Sequence, residues 1–227
     1  MKKKVFIAMA VAAAMAAMPV AAGAAGSSHD SSSSSSSSST TTSNSGATSN
    51  AGVASGATVV SSQPTVQVTE SGAKVTVAGA TKDATGTTIG LVGESAGNGA
   101  VKSGDVTVGV VTGAAETAGL PDTAVSTINA LNSNASLSSV LPGLGLEDFA
   151  QVGGTRAIVA KNAAGQDAPT AVSMFVDKLP ANAIVKVVCF NNATGQWMTI
   201  TNVTVDAATK TVNFTVPGSC TIQIAVK

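Results

Sequence analysis

From about Thr58 to the C-terminus the chain is written in short β-branched runs broken by Gly, Asn, Asp and Pro, and this punctuation leaves room for little but strands and tight turns. The last 75 or so residues carry it most clearly, as "TRAIVAK", "AVSMFVD", "AIVKVVCF", "QWMTI", "NVTVD", "TVNFTV" and "CTIQIAV". The connections "NAAGQDAP", "KLPAN", "NNATG", "AATK" and "PGS" are turn chemistry. The spacing predicts a mainly β protein, a β-sandwich of Ig-like or similar type. Upstream, "TVQVT" and "KVTVAG" flank "ESG" as a hairpin with Gly72 at its turn, and "TTIGLVG" and "DVTVGVV" continue the pattern. "ESAGNGAVKSG" reads as a flexible loop, because Val101 precedes Lys102 where a phosphate-binding loop needs Gly.

Between the two β-rich halves the period changes. Val125, Ile128 and Leu131 fall three apart after Pro121 and Asp122, which predicts a helix over about 121–132, followed by a shorter turn of helix around 136–141. Their apolar stripe is expected to cap an open end or edge of the sheet. Asp122 and Asp148 are placed to favour helix N-termini. Trp197 is expected in the core opposite Phe190, across a hairpin that turns at "NNATG".

The N-terminus reads as export machinery. Lys2, Lys3 and Lys4 precede an uncharged apolar run, Val5 to Met18, and small residues then offer cleavage after Ala22, Ala24 or Ala25. That run falls short of the ~20 apolar residues a membrane-spanning helix needs. Residues 26–57, rich in Ser, Thr, Gly and Asn, have almost nothing to bury and are expected to be a disordered linker, either a plain spacer or a glycosylated stalk. The expected organisation is therefore a signal peptide over 1–25, the linker over 26–57, a β-rich half over 58–115, a helical connection over 116–150 and a second β-rich half over 151–227. The mature chain is expected to be secreted, extracellular or cell-wall associated, with no transmembrane segment after processing.

Removing the three N-terminal Lys from 12 basic side chains leaves 9 against 12 acidic ones, and the nine are scattered singly. A nucleic-acid partner needs clustered Lys and Arg, so none is expected. The one His, His29, lies in the Ser-rich tract, which removes a His-based triad or His-containing metal site from the folded region. No cofactor motif occurs. Glu147 and Asp148 are adjacent and diverge, so they do not form a facing glycosidase pair. Glu70, Asp83, Glu94 and Asp105 are carboxylates that only tertiary structure can bring together. Four N-x-S/T triplets, at Asn134, Asn192, Asn202 and Asn213, arise readily by chance in a Thr- and Asn-rich β chain.

The order "GLGLEDFAQVGGTRAIVAKN…TAVSMFVDKLPANAIVKVVCFNNATGQWMTITNVTVDAATKTVNFTVPGSCTIQIAV" resembles the C-terminal domain of uncharacterised secreted or surface proteins of Gram-positive gut anaerobes. The resemblance covers about 85 residues and implies a fold without implying an activity. The chain departs from that group at Cys189 and Cys220, where such proteins more often carry His, Ser or Pro.

Cys189 and Cys220 are the two Cys of the chain. An even pair in an exported domain is the usual mark of a disulfide, whose loop would contribute roughly 3–4 kcal/mol. Cys is also a small buried hydrophobe, and an anaerobic habitat keeps thiols reduced. Functionally the sequence points to a non-enzymatic extracellular module of the cell-envelope or adhesion type, meeting envelope components or host glycans. The alternative is a glycan- or small-ligand-binding protein using loops near Gly97, Asn98 and Gly99 or Asn191 and Asn192.

Overall fold

The computed structural model describes residues 63–111 and 113–227; the expected signal peptide and linker, with His29, lie outside the described residues. Fourteen strands and two short helices follow one another in this region. The strands are β1 (Thr65–Val68), β2 (Lys74–Lys82), β3 (Thr88–Val92), β4 (Glu94–Gly97), β5 (Ala100–Ser103), β6 (Val106–Val111), β7 (Ala150–Gln151), β8 (Arg156–Lys161), β9 (Thr170–Val176), β10 (Val185–Asn191), β11 (Gln196–Ile200), β12 (Thr204–Asp206), β13 (Thr211–Val216) and β14 (Cys220–Val226). The helices α1 (Asp122–Asn132) and α2 (Leu137–Val140) lie between β6 and β7, preceded by a single 3₁₀ turn, Gly113–Glu116.

All pairings are antiparallel. One sheet runs β1-β2-β3-β9-β13-β12 and the other β11-β10-β14-β8-β6-β5-β4, with β7 added against β14. Each sheet therefore takes strands from both β-rich halves of the sequence. Leu91, Val172, Met174 and Phe214 of the first sheet and Val108, Ile158, Val187, Ile222 and Ile224 of the second share one buried cluster, so the sheets face each other in a β-sandwich-like arrangement. The alternation within β13, where Val212, Phe214 and Val216 are buried and Thr215 is exposed, is the period-2 signature of that packing.

Four expectations change. "ESAGNGAVKSG" is an ordered hairpin, β4–β5, in which Gly97, Asn98 and Gly99 all take positive φ, so the glycines mark a tight turn rather than a mobile loop. The helical segment covers the outer face of the second sheet: Leu131, Leu137, Leu141 and Leu146 bury against Val188 and Ala225 of β10 and β14. It covers a face because the central strands are apolar on both sides, with Cys189 and Ile224 pointing inward. Trp197 belongs to this outer layer and not to the inter-sheet core. It sits opposite Phe190 as expected, with ring centroids 5.6 Å apart and tilted by 60°. Asp148 heads no helix; it pairs with Lys227 at 2.8 Å.

Gly90 of β3 cannot carry a side chain. A Cβ there would lie 2.4 Å from Val77 Cγ1 and 2.9 Å from the Ala78 carbonyl oxygen, beside the register shift between Ala78 and Thr81. That shift redirects the end of β2 and the Asp83 turn that follows it.

Candidate functional site

Arg156 is the only arginine of the chain, and it is buried, with a side chain 6% exposed. It starts β8 opposite Ile222, whose side chain faces the inter-sheet core, so Arg156 projects inward between the sheets at the end of that strand. From the other sheet the β2–β3 turn brings Asp83, with Oδ2 3.7 Å from Arg156 Nη2. The pair thus ties the two sheets together at one end of the sandwich.

Asp83 is held by three donors as well as by this charge. Its Oδ1 accepts from Thr85 Oγ1 at 2.6 Å and from the Thr87 amide at 2.9 Å, and its Oδ2 accepts from the Gly154 amide at 2.7 Å. Burial raises its carboxyl, but the hydroxyl, the two amides and Arg156 outweigh burial and hold it below the ordinary value. Gly153 and Gly154 are required by this closeness: a Cβ on Gly153 would sit 2.8 Å from Asp83 Oδ2, and one on Gly154 2.6 Å from Asn132 Oδ1. Gln223, fully buried in β14, donates to the Gly153 carbonyl and pins the same loop from the sheet. Asn132, the last residue of α1, accepts from the Thr155 amide and hydroxyl at 2.8 and 3.1 Å.

These groups line an open cavity of about 260 Å³, together with Thr81, Glu116 and others. Arg156 Nη1 donates to the Thr155 carbonyl at 2.8 Å. Its Nε and Nη2 are buried with no hydrogen-bond partner, and so is Thr81 Oγ1. These three atoms are buried behind the cavity lining, and each buried donor left without a hydrogen bond costs about 1–3 kcal/mol, more on a charged group. Glu116, on the 3₁₀ turn, is half-buried; burial pushes its carboxyl up to about 7 against the opposing pull of Arg156. Burial pulls Arg156 down in turn, opposed by Asp83 and Glu116, but guanidinium stays protonated at any working pH.

The Glu116 shift has a consequence for stability. The folded chain holds this proton up to about 7 whereas the ordinary carboxyl loses it near 4.5, so the folded state binds more protons in between. Stability due to this group falls as pH rises through that window and is level above it. Thermal midpoints from about pH 5 to about pH 8 are expected to decline by a few degrees more in the wild type than in Glu116→Gln. Parallel curves would mean that the carboxyl is solvated.

Of the carboxylates marked in the sequence, only Asp83 lines this cavity. Glu70 pairs with Lys210 at 3.2 Å and Glu94 with Lys102 at 3.8 Å, both on the surface. The turns at Gly97–Gly99 and Asn191–Asn192 do not line it either. Asn191 Oδ1 accepts from the amides of Ala193 and Thr194, and Asn192 Nδ2 donates to the Ser219 carbonyl, so these side chains shape their hairpin. Glu116 and Arg156 went unmarked, and the one signal for them was that the sole arginine of the chain opened a strand whose next four residues are apolar.

Cys189 and Cys220 stand on neighbouring strands, Cys189 opposite Ile222 and Cys220 opposite Asn191, hence diagonal on one face. The two stand unbridged and fully buried, near enough for one thiol to hydrogen-bond the other. That bond lowers the Cys189 thiol despite burial, while the same bond, burial and the Asp167 charge push Cys220 up. Diagonal neighbours lie about 7–8 Å apart at Cα, beyond the ~4.4–6.8 Å of most bridges, so a disulfide here needs the strands to close up. The native protein is expected to resist alkylation at both positions. Alkylation after unfolding without reductant then reads the oxidation state by intact mass, two adducts for thiols and none for the bridge.

Among the described residues no group of three or more His, Cys, Asp or Glu is placed to hold a metal, and no helix is long and apolar enough to cross a membrane. Comparison with protein-family models, with curated proteins and with solved structures finds no match to this chain.

Proposed function

We propose that this chain is an exported, non-enzymatic extracellular module that binds a small polar ligand in the Arg156 cavity. The observation that carries this reading is the cavity beside the Arg156–Asp83 pair, lined by four charged side chains, Lys82, Asp83, Glu116 and Arg156. Concave sites with a few convergent polar groups are where small ligands bind, whereas an adhesion module working through a broad surface has no use for one. The Ser-rich tract and the signal-like N-terminus support export to the cell envelope, and within this proposal the sandwich is of Ig-like or similar type, supported by its two antiparallel sheets with chain crossing between them.

Binding is favoured over turnover by the state of Asp83. General acid–base chemistry on a small substrate calls for a second group free to act beside Glu116, and Asp83 is already committed to three hydrogen bonds and Arg156. The test is a screen of the full secreted chain against glycan arrays and small polar metabolites, together with a panel of hydrolase substrates. Saturable binding without turnover, weakened by Arg156→Lys, is the expected result. Turnover abolished by Glu116→Gln would overturn the non-enzymatic reading, and the absence of any ligand would return the chain to the adhesion class.

A further inference from the structure

We infer that Met198 is an oxidation site at the edge of the sandwich, converted by peroxide to its sulfoxide, whose oxygen then accepts a hydrogen bond from the Asn191 side-chain amide. The inference is independent of any ligand in the Arg156 cavity. The described residues contain four sulfur atoms, those of Met174, Cys189, Met198 and Cys220. Three are sealed: Met174, Cys189 and Cys220 are each 0% exposed, whereas Met198 is 42% exposed. Strand register and strand order explain the difference. Met198 pairs with Cys189 across β11 and β10, so both side chains point to the inter-sheet side, as Ile200 does from the same strand. Cys189 is covered there by the opposing sheet, but β11 is the last strand of its own sheet and Met198 stands at the open margin. Met198, Cys189 and Cys220 thus lie on three successive strands, β11, β10 and β14, and an oxidant arriving from solvent at this edge meets Met198 first.

The chemistry needs no group beyond the thioether and the peroxide. A sulfur lone pair attacks one peroxide oxygen, the O–O bond breaks as the S–O bond forms, and the departing hydroxide takes a proton to leave as water. Sulfur gives up two electrons and the peroxide accepts them. The product is polar and chiral where the thioether was apolar, a change that disrupts a packed core. Here a donor already faces the sulfur, with Asn191 Nδ2 3.9 Å from Met198 Sδ. A thioether sulfur is a weak acceptor, and the sulfoxide oxygen is a far better one, so oxidation turns a marginal contact into a full hydrogen bond. Asn191 is fixed for this: its Oδ1 accepts from the amides of Ala193 and Thr194, which leaves Nδ2 directed at Met198. Met198 also lines an open groove of about 410 Å³ with Pro169, Ile200, Val216 and Pro217 among others. The added oxygen makes this apolar margin polar and leaves the core sulfurs as they were. Methionine sulfoxide reductases reverse the step, so the modification is a reversible one.

The experiment treats the full secreted chain with hydrogen peroxide at neutral pH and locates the added oxygen by peptide mass mapping. Met198 is expected to gain one oxygen about tenfold or more faster than Met174, with Cys189 and Cys220 keeping their starting oxidation state, because a buried sulfur reacts only after the fold opens. In denaturant the difference between the two Met should vanish. Met198→Leu, which keeps an apolar side chain of similar size, should take up no oxygen in residues 63–227 over the same time. Asn191→Asp keeps an oxygen to cap the turn and replaces the donor with a carboxylate. Oxidation is expected to lower the thermal midpoint of the wild type by less than about 2 °C, and that of Asn191→Asp by about 2–4 °C more, one hydrogen bond's worth in a domain of this size. Oxidation of Met174 or of either Cys as fast as Met198, or a Met198 that stays unmodified in the native chain, would overturn the assignment of the site. Equal losses of midpoint in wild type and Asn191→Asp would overturn the part given to Asn191.

Discussion

Asp83→Ala is expected to destabilise the domain by about 3–5 kcal/mol, because it leaves a buried guanidinium without its counter-charge and strips an acceptor from two backbone amides. The side chain is 9% exposed and reaches Gly154 in the loop before β8 as well as its own turn, so its loss loosens both sheets at one end of the sandwich. For a domain of this size that corresponds to a drop in thermal midpoint of roughly 6–20 °C. Asp83→Asn is expected to lose less, since one oxygen remains to accept from Thr85 and Thr87. The pH dependence gives an independent reading. The Asp83 carboxyl lies below its ordinary value of 3.8 when folded, so its contribution is complete above that value and is lost as pH falls through the folded one. Wild type and variant should therefore differ most near neutrality and converge in acid. A loss below about 1 kcal/mol at neutral pH would show that Arg156 does not depend on Asp83.

Ile222→Ala is expected to cost about 2–5 kcal/mol, measured by denaturant titration with an unchanged slope. Ile222 is 1% exposed on β14, with Cys189 opposite on one side and Arg156 opposite on the other, so truncation opens a void at the centre of the second sheet. The void adjoins the thiol pair, and Cys189 should become alkylatable in the native protein. A variant that keeps both its midpoint and its protected thiols would mean that the core refills the space.

Much of the fold was legible because turn chemistry and period-2 alternation are local. The hairpin at "ESG" forms with Gly72 at φ 80°, the "NNATG" hairpin sets Phe190 against Trp197, and the helix predicted over 121–132 is α1. The β4–β5 hairpin was missed for a local reason too: its Gly-rich turn and its short strands, exposed along β4, lack the alternation that marks a half-buried strand. The site was much less legible. Asp83 and Arg156 are 73 positions apart and nothing in the spacing joins them. They meet because β2–β3 and β8 fall in opposite sheets whose ends coincide.

The residues by themselves determined which segments extend, where they turn and where a helix interrupts them, since those choices are made between neighbours by backbone sterics and side-chain period. Tertiary structure alone decided which sheet each strand joins, which face α1 and α2 cover, and that the sole arginine is buried against Asp83, near a Glu116 carboxyl that burial pushes up to about 7. Burial and charge proximity are properties of groups brought together across the chain, and no local pattern encodes them.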